Sequence, residues 1–269
     1  MSTATIPRIQ PILFDGGKGQ PYLTPLGELP SVTTILRETQ PEETRKKLEQ
    51  WRRANPKNNA AERGTLVHQA IEDLLTGRPA SLPESLVGFY QSIAPFLATI
   101  QPLLIEGGVY HPHGYAGRLD ALAIDTTDGQ VKLIDWKTSS KPFLYTTLQE
   151  YNAEIQNWEE QINQLWQKVS EGTLSQSAAN RSASTIRKRH LSRVTADKEK
   201  FEDYCCQVAA YVAAANHTYS DQLDEVITNA VIAVAIDGEP CQVIELNEDD
   251  LDHFWDIFEA RLDRFYLER

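Results

Sequence analysis

Cysteine is scarce in this chain: three in 269 residues, with Cys205 and Cys206 adjacent and Cys241 distant. Three cysteines do not build a disulfide framework, and neighbours in a helical stretch do not bond each other, so a reducing, cytoplasmic setting is expected. No apolar run is long enough to span a membrane. The opening Met1-Ser2-Thr3-Ala4-Thr5-Ile6-Pro7 lacks the apolar core of a secretion signal. Internal repeats and low-complexity tracts are missing too. Positive charge is short: 26 Lys and Arg stand against 38 Asp and Glu, a net charge of −12. That balance argues against binding a polyanion over the whole surface, and leaves room for a local basic channel. The length suits one large domain, or a domain with an insertion, able to bury a full core.

What is present centres on Leu133-Ile134-Asp135-Trp136-Lys137-Thr138-Ser139. Apolar and β-branched residues leading to a polar end read as a strand. Side chains alternate along a strand, so Asp135 and Lys137 share a face and Trp136 points to the other, toward a core. A carboxylate beside an ammonium on a rigid strand suits phosphodiester hydrolysis, one holding a divalent metal and the other steadying phosphoryl charge. An exposed ion pair on an edge strand is the plain alternative. Asp120, in the strand-like Gly117-Arg118-Leu119-Asp120-Ala121-Leu122-Ala123-Ile124, shifts the balance. The turn-forming Asp125 to Gln130 makes the two runs a hairpin. A turn centred on Thr127-Asp128 sets Asp120 opposite Asp135; one centred on Asp128-Gly129 sets it opposite Lys137. Either register gathers all three on one face, where two carboxylates need a cation such as Mg²⁺ or Mn²⁺ between them.

Two helices add to the set. Gly64 to Leu75 has helical apolar spacing, and His68 and Glu72 share one face of it as candidate metal ligands. Cys205 to Ala215 is an alanine-rich helix whose Gln207 and Tyr211 also share a face, an amide and a phenol suited to a phosphate oxygen or a base. Helices are further expected over 32–37, 42–54, 84–101 and 248–267, the last capped by Asn247 with acids in its first turn. Strands are expected near 104–111, 115–125, 130–137, 226–236 and 241–246, and an irregular N-terminal arm to about Pro30. Strands bracketed by helices give an α/β fold.

The order Gly-x-x-x-His, Gly-Arg-Leu-Asp, Ile-Asp-Trp-Lys-Thr, Gln-x-x-x-Tyr resembles the PD-(D/E)xK nuclease superfamily in its RecB-like branch. Pro30-Ser31-Val32-Thr33-Thr34-Ile35-Leu36 and the closing strand-strand-helix are similar to the mitochondrial genome maintenance exonuclease family and its bacterial and phage relatives. The resemblance implies a restriction-endonuclease-like core, a central mixed β-sheet flanked by helices, over 31–142 and 201–269, interrupted by a helical insertion at 143–200. It implies a metal-dependent deoxyribonuclease acting on single-stranded DNA ends, with one or two Mg²⁺ or Mn²⁺ ions. Asp120, Asp135, His68 and the backbone carbonyl of Trp136 match the metal-binding positions, Lys137 the catalytic lysine, and Gln207 and Tyr211 the motif that follows. Too few cysteines are present for the iron-sulfur cluster of some superfamily members.

DNA contacts are expected from Ser31, Thr33, Thr34, Arg118, Thr138 and Ser139. A basic run with an interleaved aromatic, including Trp51, Arg52, Arg53 and Arg63, is a further candidate, as is Arg187-Lys188-Arg189 in the insertion. The insertion carries a heptad-like stripe, Tyr151, Ile155, Trp158, Ile162, Leu165 and Val169. It is expected to form a helical hairpin, its stripe packed on the return helix or docked on a protein partner. A structure-selective endonuclease and a non-catalytic DNA-binding adaptor are the competing readings.

Overall fold

A computed structural model describes residues 9–17, 19–55, 60–186 and 192–269. The N-terminal arm is more ordered than its glycines and prolines suggest. It contains a small hairpin of β1 (Tyr22–Thr24) and β2 (Gly27–Leu29). The Thr24 hydroxyl donates to the Gly27 carbonyl at 2.9 Å, and Gly27 takes a φ of +102° that other residues resist. Four helices follow: α1 (Val32–Glu38), α2 (Glu42–Ala54), α3 (Ala60–Leu75) and α4 (Val87–Leu97). The helix expected over 84–101 is shorter, because Ile100 already pairs with Asp125 in the sheet. Tertiary pairing overrides local pattern there.

The sheet has five strands in chain order: β3 (Ile100–His111), β4 (Tyr115–Asp125), β5 (Val131–Ser139), β6 (Ala230–Ile236) and β7 (Gln242–Leu246). All neighbours are antiparallel except β5 and β6, so the sheet is mixed. A parallel pair needs a crossover. Here it includes α7 (Ser192–Thr218), after α5 (Leu148–Ser170) and α6 (Gln176–Ile186). Every residue of β6 is buried, as its unbroken Ala-Val-Ile-Ala-Val-Ala-Ile demands of a central strand.

On one face of the sheet, Val67 and Ile71 of α3 and Phe89 and Ile93 of α4 pack with Ala121, Ile134, Trp136 and Ala233. Helix α7 lies over the part of the sheet where β3 and β4 run. The Tyr115 hydroxyl donates to the Ala210 carbonyl at 3.0 Å, and the Tyr219 hydroxyl to that of Gly108 at 2.9 Å. The last helix, α8 (Glu248–Leu267), starts in a capping box between Asn247 and Asp250. Its Arg261 donates to the Leu36 carbonyl and the Thr39 hydroxyl, closing the open end of α1. No helix among the described residues is long and apolar enough to cross a membrane.

The chain divides into two compact units, one comprising residues up to Pro142 with Tyr204–Arg269, the other Phe143–Asp203. The second unit corresponds to the expected insertion, and the middle of its return segment lies outside the described residues. It contains α5, the shorter α6 and the start of α7, with 187–191 outside the described residues. Within it Trp158 is buried, as are Ala179 and Ala183 of α6.

One histidine should make the fold acid-sensitive. His111 stacks on Tyr115 at 5.2 Å and lies 5.2 Å from Trp255. Burial, followed by His113 and His217, lowers its pKa from 6.5 to about 4. The folded state refuses a proton that the unfolded chain accepts, so stability is expected to fall as pH drops through that window. His111→Phe should flatten the acid limb of melting temperature against pH; an unchanged limb would assign the loss to other groups.

Candidate active site

The site lies where strand pairing stops. The β4–β5 ladder runs from Ile124–Val131 to Ala121–Ile134, which is the register with the turn centred on Thr127-Asp128. Continued by one pair, it sets Asp120 opposite Asp135. The strands part there, and the Trp136 N–H donates to Asp120 Oδ2 at 2.7 Å. The fork thus places a carboxylate where a backbone carbonyl would otherwise accept.

Lys137 Nζ lies 2.5 Å from Asp135 Oδ2, and Gln207 of α7 bridges the pair. Its Oε1 accepts from Lys137 Nζ at 3.3 Å, and its Nε2 donates to Asp135 Oδ1 at 3.4 Å. Lys137 also sits 4.9 Å above the Tyr204 ring. From α3, His68 Nδ1 comes within 3.4 Å of Asp120 Oδ1. Tyr211, one turn beyond Gln207, packs so tightly on β4 that a Cβ at Gly117 would come 2.5 Å from its Cε1. Gly117→Ala is therefore expected to cost about 1–3 kcal/mol by overpacking. In a Tyr211→Ala background the same change should be near neutral; equal costs in both backgrounds, by thermal unfolding, would refute the contact.

Charge in this site is unbalanced. Burial raises the Asp135 carboxyl above the usual carboxylate range, against the pull of Lys137. Its buried Oδ2 has the Lys137 ammonium as its partner. Burial alone would raise Asp120 as well, but His68, Lys137 and the Trp136 N–H outweigh it and leave it lowered. Lys137 would be lowered by burial, yet Asp135 and Asp120 prevail and raise it, so it stays an ammonium at neutral pH.

A residue absent from the expected set belongs here. Pairs Ile105–Ala121 and Gly107–Leu119 set Glu106 across from Asp120, so Glu106, Asp120 and Asp135 form a row over three strands. Ligand atoms of His68, Glu106 and Asp120 lie within 4.8 Å of one another. Burial, then Asp120, raises the Glu106 pKa to about 7, although Arg118 Nε sits 2.5 Å from its Oε2. The sequence held a signal: an acid inside the apolar Leu104-Ile105-Glu106-Gly107-Gly108-Val109, which the Pro112-His113-Gly114 turn brings into register with Asp120.

The other expected residues lie around this group. Glu72 is held by Arg78 at 2.5 Å and by Gln69 at 3.1 Å on the rim of α3, and Glu106, not Glu72, joins the His68–Asp120 group. Arg118 pairs with Glu106. Arg63 stacks 5.0 Å over the Phe89 ring, and Arg53 lies 3.8 Å from Glu49 in the open. Ser31 caps α1, accepting from the Thr34 N–H, and shares hydrogen bonds with the Thr33 and Thr34 hydroxyls. The Ser139 hydroxyl donates to the Lys141 carbonyl at 2.7 Å. Thr138 is half-buried at the end of β5, across from Ala235. Arg187, Lys188 and Arg189 fall outside the described residues, as do the side chains of Trp51 and Arg52.

The fold and the site define an α/β protein with a helix-flanked mixed sheet, whose opened hairpin gathers two aspartates, a glutamate, a lysine and a histidine. Mitochondrial genome maintenance exonuclease 1 of Mus musculus is 32% identical over 130 residues, 42% of this chain and 38% of that protein. Mitochondrial genome maintenance exonuclease 1 of Xenopus tropicalis is 25% identical over 258 residues, 89% of this chain and 58% of that protein. The chain therefore spans less than two thirds of the length of either relative. No protein-family model matches it.

Proposed function

We propose that this protein is a divalent-metal-dependent deoxyribonuclease, of the RecB-like PD-(D/E)xK type, that removes nucleotides from single-stranded DNA ends. The observation that carries this reading is the convergence of Asp120, Asp135, Lys137 and His68 at the fork between β4 and β5. The exonuclease named among its relatives supports it. A scaffold that only bound DNA would not need a buried carboxylate pair with a lysine inside it.

The residues present fit a divalent cation. Glu106, Asp120 and Asp135 set three carboxylates in a row, and the Lys137 ammonium, 2.5 Å from Asp135 Oδ2, answers only part of their mutual repulsion. Asp120 and Asp135 would hold Mg²⁺ or Mn²⁺, with His68 and the Trp136 carbonyl as further donors. A bound ion of this kind supplies Lewis acidity toward the phosphate and a more acidic water. Lys137 places a fixed ammonium where phosphoryl charge develops, and Gln207 holds it in line with Asp135. Burial of Trp136 and Ile134 behind the strand keeps that geometry rigid.

The test is a time course on end-labelled linear and circular single strands with Mg²⁺, Mn²⁺ or chelator. Stepwise loss from linear strands alone, abolished by chelator, is the expected result. Cleavage of circles would make the protein an endonuclease, and binding without cleavage an adaptor.

A further inference from the structure

The N-terminal arm closes a cavity beside the site. Its backbone follows the outer edge of β3: the Ile9 N–H donates to the Leu103 carbonyl at 3.1 Å, and the Gly108 N–H to that of Ile12 at 2.8 Å. The chain then turns back into β1, where the Leu23 N–H donates to the Asp15 carbonyl at 2.9 Å. This fold of the arm leaves a cavity of about 220 Å³, lined by Phe14, Tyr22, Arg118 and the glycines Gly16, Gly17 and Gly108. A cavity of about 150 Å³ takes up benzene, so this one holds a flat ring system and little more. Its walls are packed. Phe14 meets Tyr110 edge-on at 5.8 Å, and a Cβ on Gly108 would come 2.8 Å from the Phe14 ring. The Tyr22 hydroxyl lies against Gly17, where a Cβ would come 2.8 Å from it. Arg118 gives the lining a cation: its Nε is set on Glu106 at 2.5 Å, and its side chain is 55% exposed. Burial raises the pKa of the Tyr22 phenol, and Arg118 and Glu106 act on it next, so this ring and the edge of the site are electrostatic neighbours.

We propose that this cavity is a subsite for one unpaired nucleotide next to the scissile phosphate: its base enters against the Tyr22 and Phe14 rings, and its phosphate is held by Arg118. The inference rests on the nuclease reading above and names the state of the strand that the site accepts. Spacing supports it. Arg118 stands two residues before Asp120 on the same face of β4, about 7 Å away along the strand. Neighbouring phosphates of a nucleic-acid strand are a similar step apart, so a phosphate at Arg118 brings the next one to Asp120 and Lys137. The donor set suits the ligand. An arginine carries five N–H donors; Nε–H is directed at Glu106, and the rest of the exposed guanidinium matches phosphate oxygens. Aromatic faces stack on any base, which gives affinity without sequence preference. Size sets the selectivity. A base still joined to its complement carries a second ring system, which a cavity of about 220 Å³ has no room for. The requirement for an unpaired strand is then a property of the N-terminal arm, and the strands that carry Asp120 and Asp135 do not impose it.

The experiment reads binding, by fluorescence anisotropy in Mg²⁺, of a labelled phosphorothioate single strand in which each nucleotide in turn is made abasic. With the unaltered protein, one abasic position near one end is expected to weaken binding about tenfold, and the other positions far less. Tyr22→Ala should weaken binding of the intact strand about tenfold and lose the discrimination at that position. Tyr22→Phe keeps the ring and should match the unaltered protein. Arg118→Gln should weaken intact and abasic strands alike, and lower the slope of log affinity against log salt by about one. Discrimination that persists in a folded Tyr22→Ala protein overturns the base pocket, and an unchanged salt slope overturns the phosphate contact. Where Tyr22→Ala unfolds, the abasic series on the unaltered protein still decides: an even loss over all positions refutes a single-nucleotide subsite. Cleavage of an ordinary linear strand without a position-specific abasic penalty refutes the subsite and leaves the nuclease. A position-specific penalty without cleavage supports the nucleotide pocket and refutes the nuclease.

Discussion

Asp135→Asn should give a folded protein whose single-turnover cleavage of single-stranded DNA falls by about a thousandfold or more. The amide keeps the shape of the side chain and the reach to Gln207, but it removes the charge that a divalent ion needs. Folding should tolerate the change, because the native state holds this carboxyl in a place where burial raises its pKa. Such a group contributes stability at low pH and loses it as pH rises through the raised value. At neutral pH its ionised form is therefore a burden on the metal-free fold, and the neutral amide lifts it. The measurement is single-turnover cleavage over a range of Mg²⁺, with circular dichroism on the same samples. Near-normal cleavage at low Mg²⁺ would sink the assignment of Asp135 as a metal-holding group.

Lys137→Ala is expected to slow cleavage by about a hundredfold, near 3 kcal/mol of transition-state stabilisation, and to change DNA affinity far less. The ammonium is nearly enclosed, its side chain 14% exposed, and is fixed by Asp135, Gln207 and the Tyr204 ring. It has little freedom to follow a phosphate in the ground state, so its effect should fall on the chemical step. Because its pKa is raised, it acts as a fixed cation and not as a proton acceptor at neutral pH. Fluorescence anisotropy with a labelled strand, set beside single-turnover rates, separates the two effects. Weaker DNA binding with unchanged chemistry would make Lys137 a phosphate anchor. A second consequence follows from electrostatics. Without Lys137, Asp120 and Asp135 lose a shared counter-charge, so the metal-free variant should be less stable than the parent, and divalent ions should restore more of that loss in the variant.

Local patterns determined much of this protein. The alternation around Asp120 and Asp135, with a short turn rich in Asp and Thr between them, defines the β4–β5 hairpin and puts the acids and Lys137 on one face. Alanine-rich spacing makes α7, and an asparagine followed by three acids starts α8. These are short-range choices, made by side-chain periodicity and by satisfying the first backbone N–H groups of a helix.

What only the tertiary structure decided is which polar groups meet. The spacing of His68 and Glu72 on one helix face cannot reveal that Arg78 takes Glu72, because that pairing depends on how the chain leaves α3. Glu106 became part of the site through the β3 register, which closes a second hairpin on the far side of Asp120. Arg63 shows the same dependence: its guanidinium lies over the Phe89 ring, a contact between α3 and α4. An ionic side chain has many partners within reach of its flexible stem, and the choice among them follows from where distant backbone segments come to rest. Strand alternation repeats every two residues and needs no such information. The hairpin and its acid pair were therefore legible along the chain, while the meeting of His68 with Asp120 and of Arg118 with Glu106 was settled by packing across it.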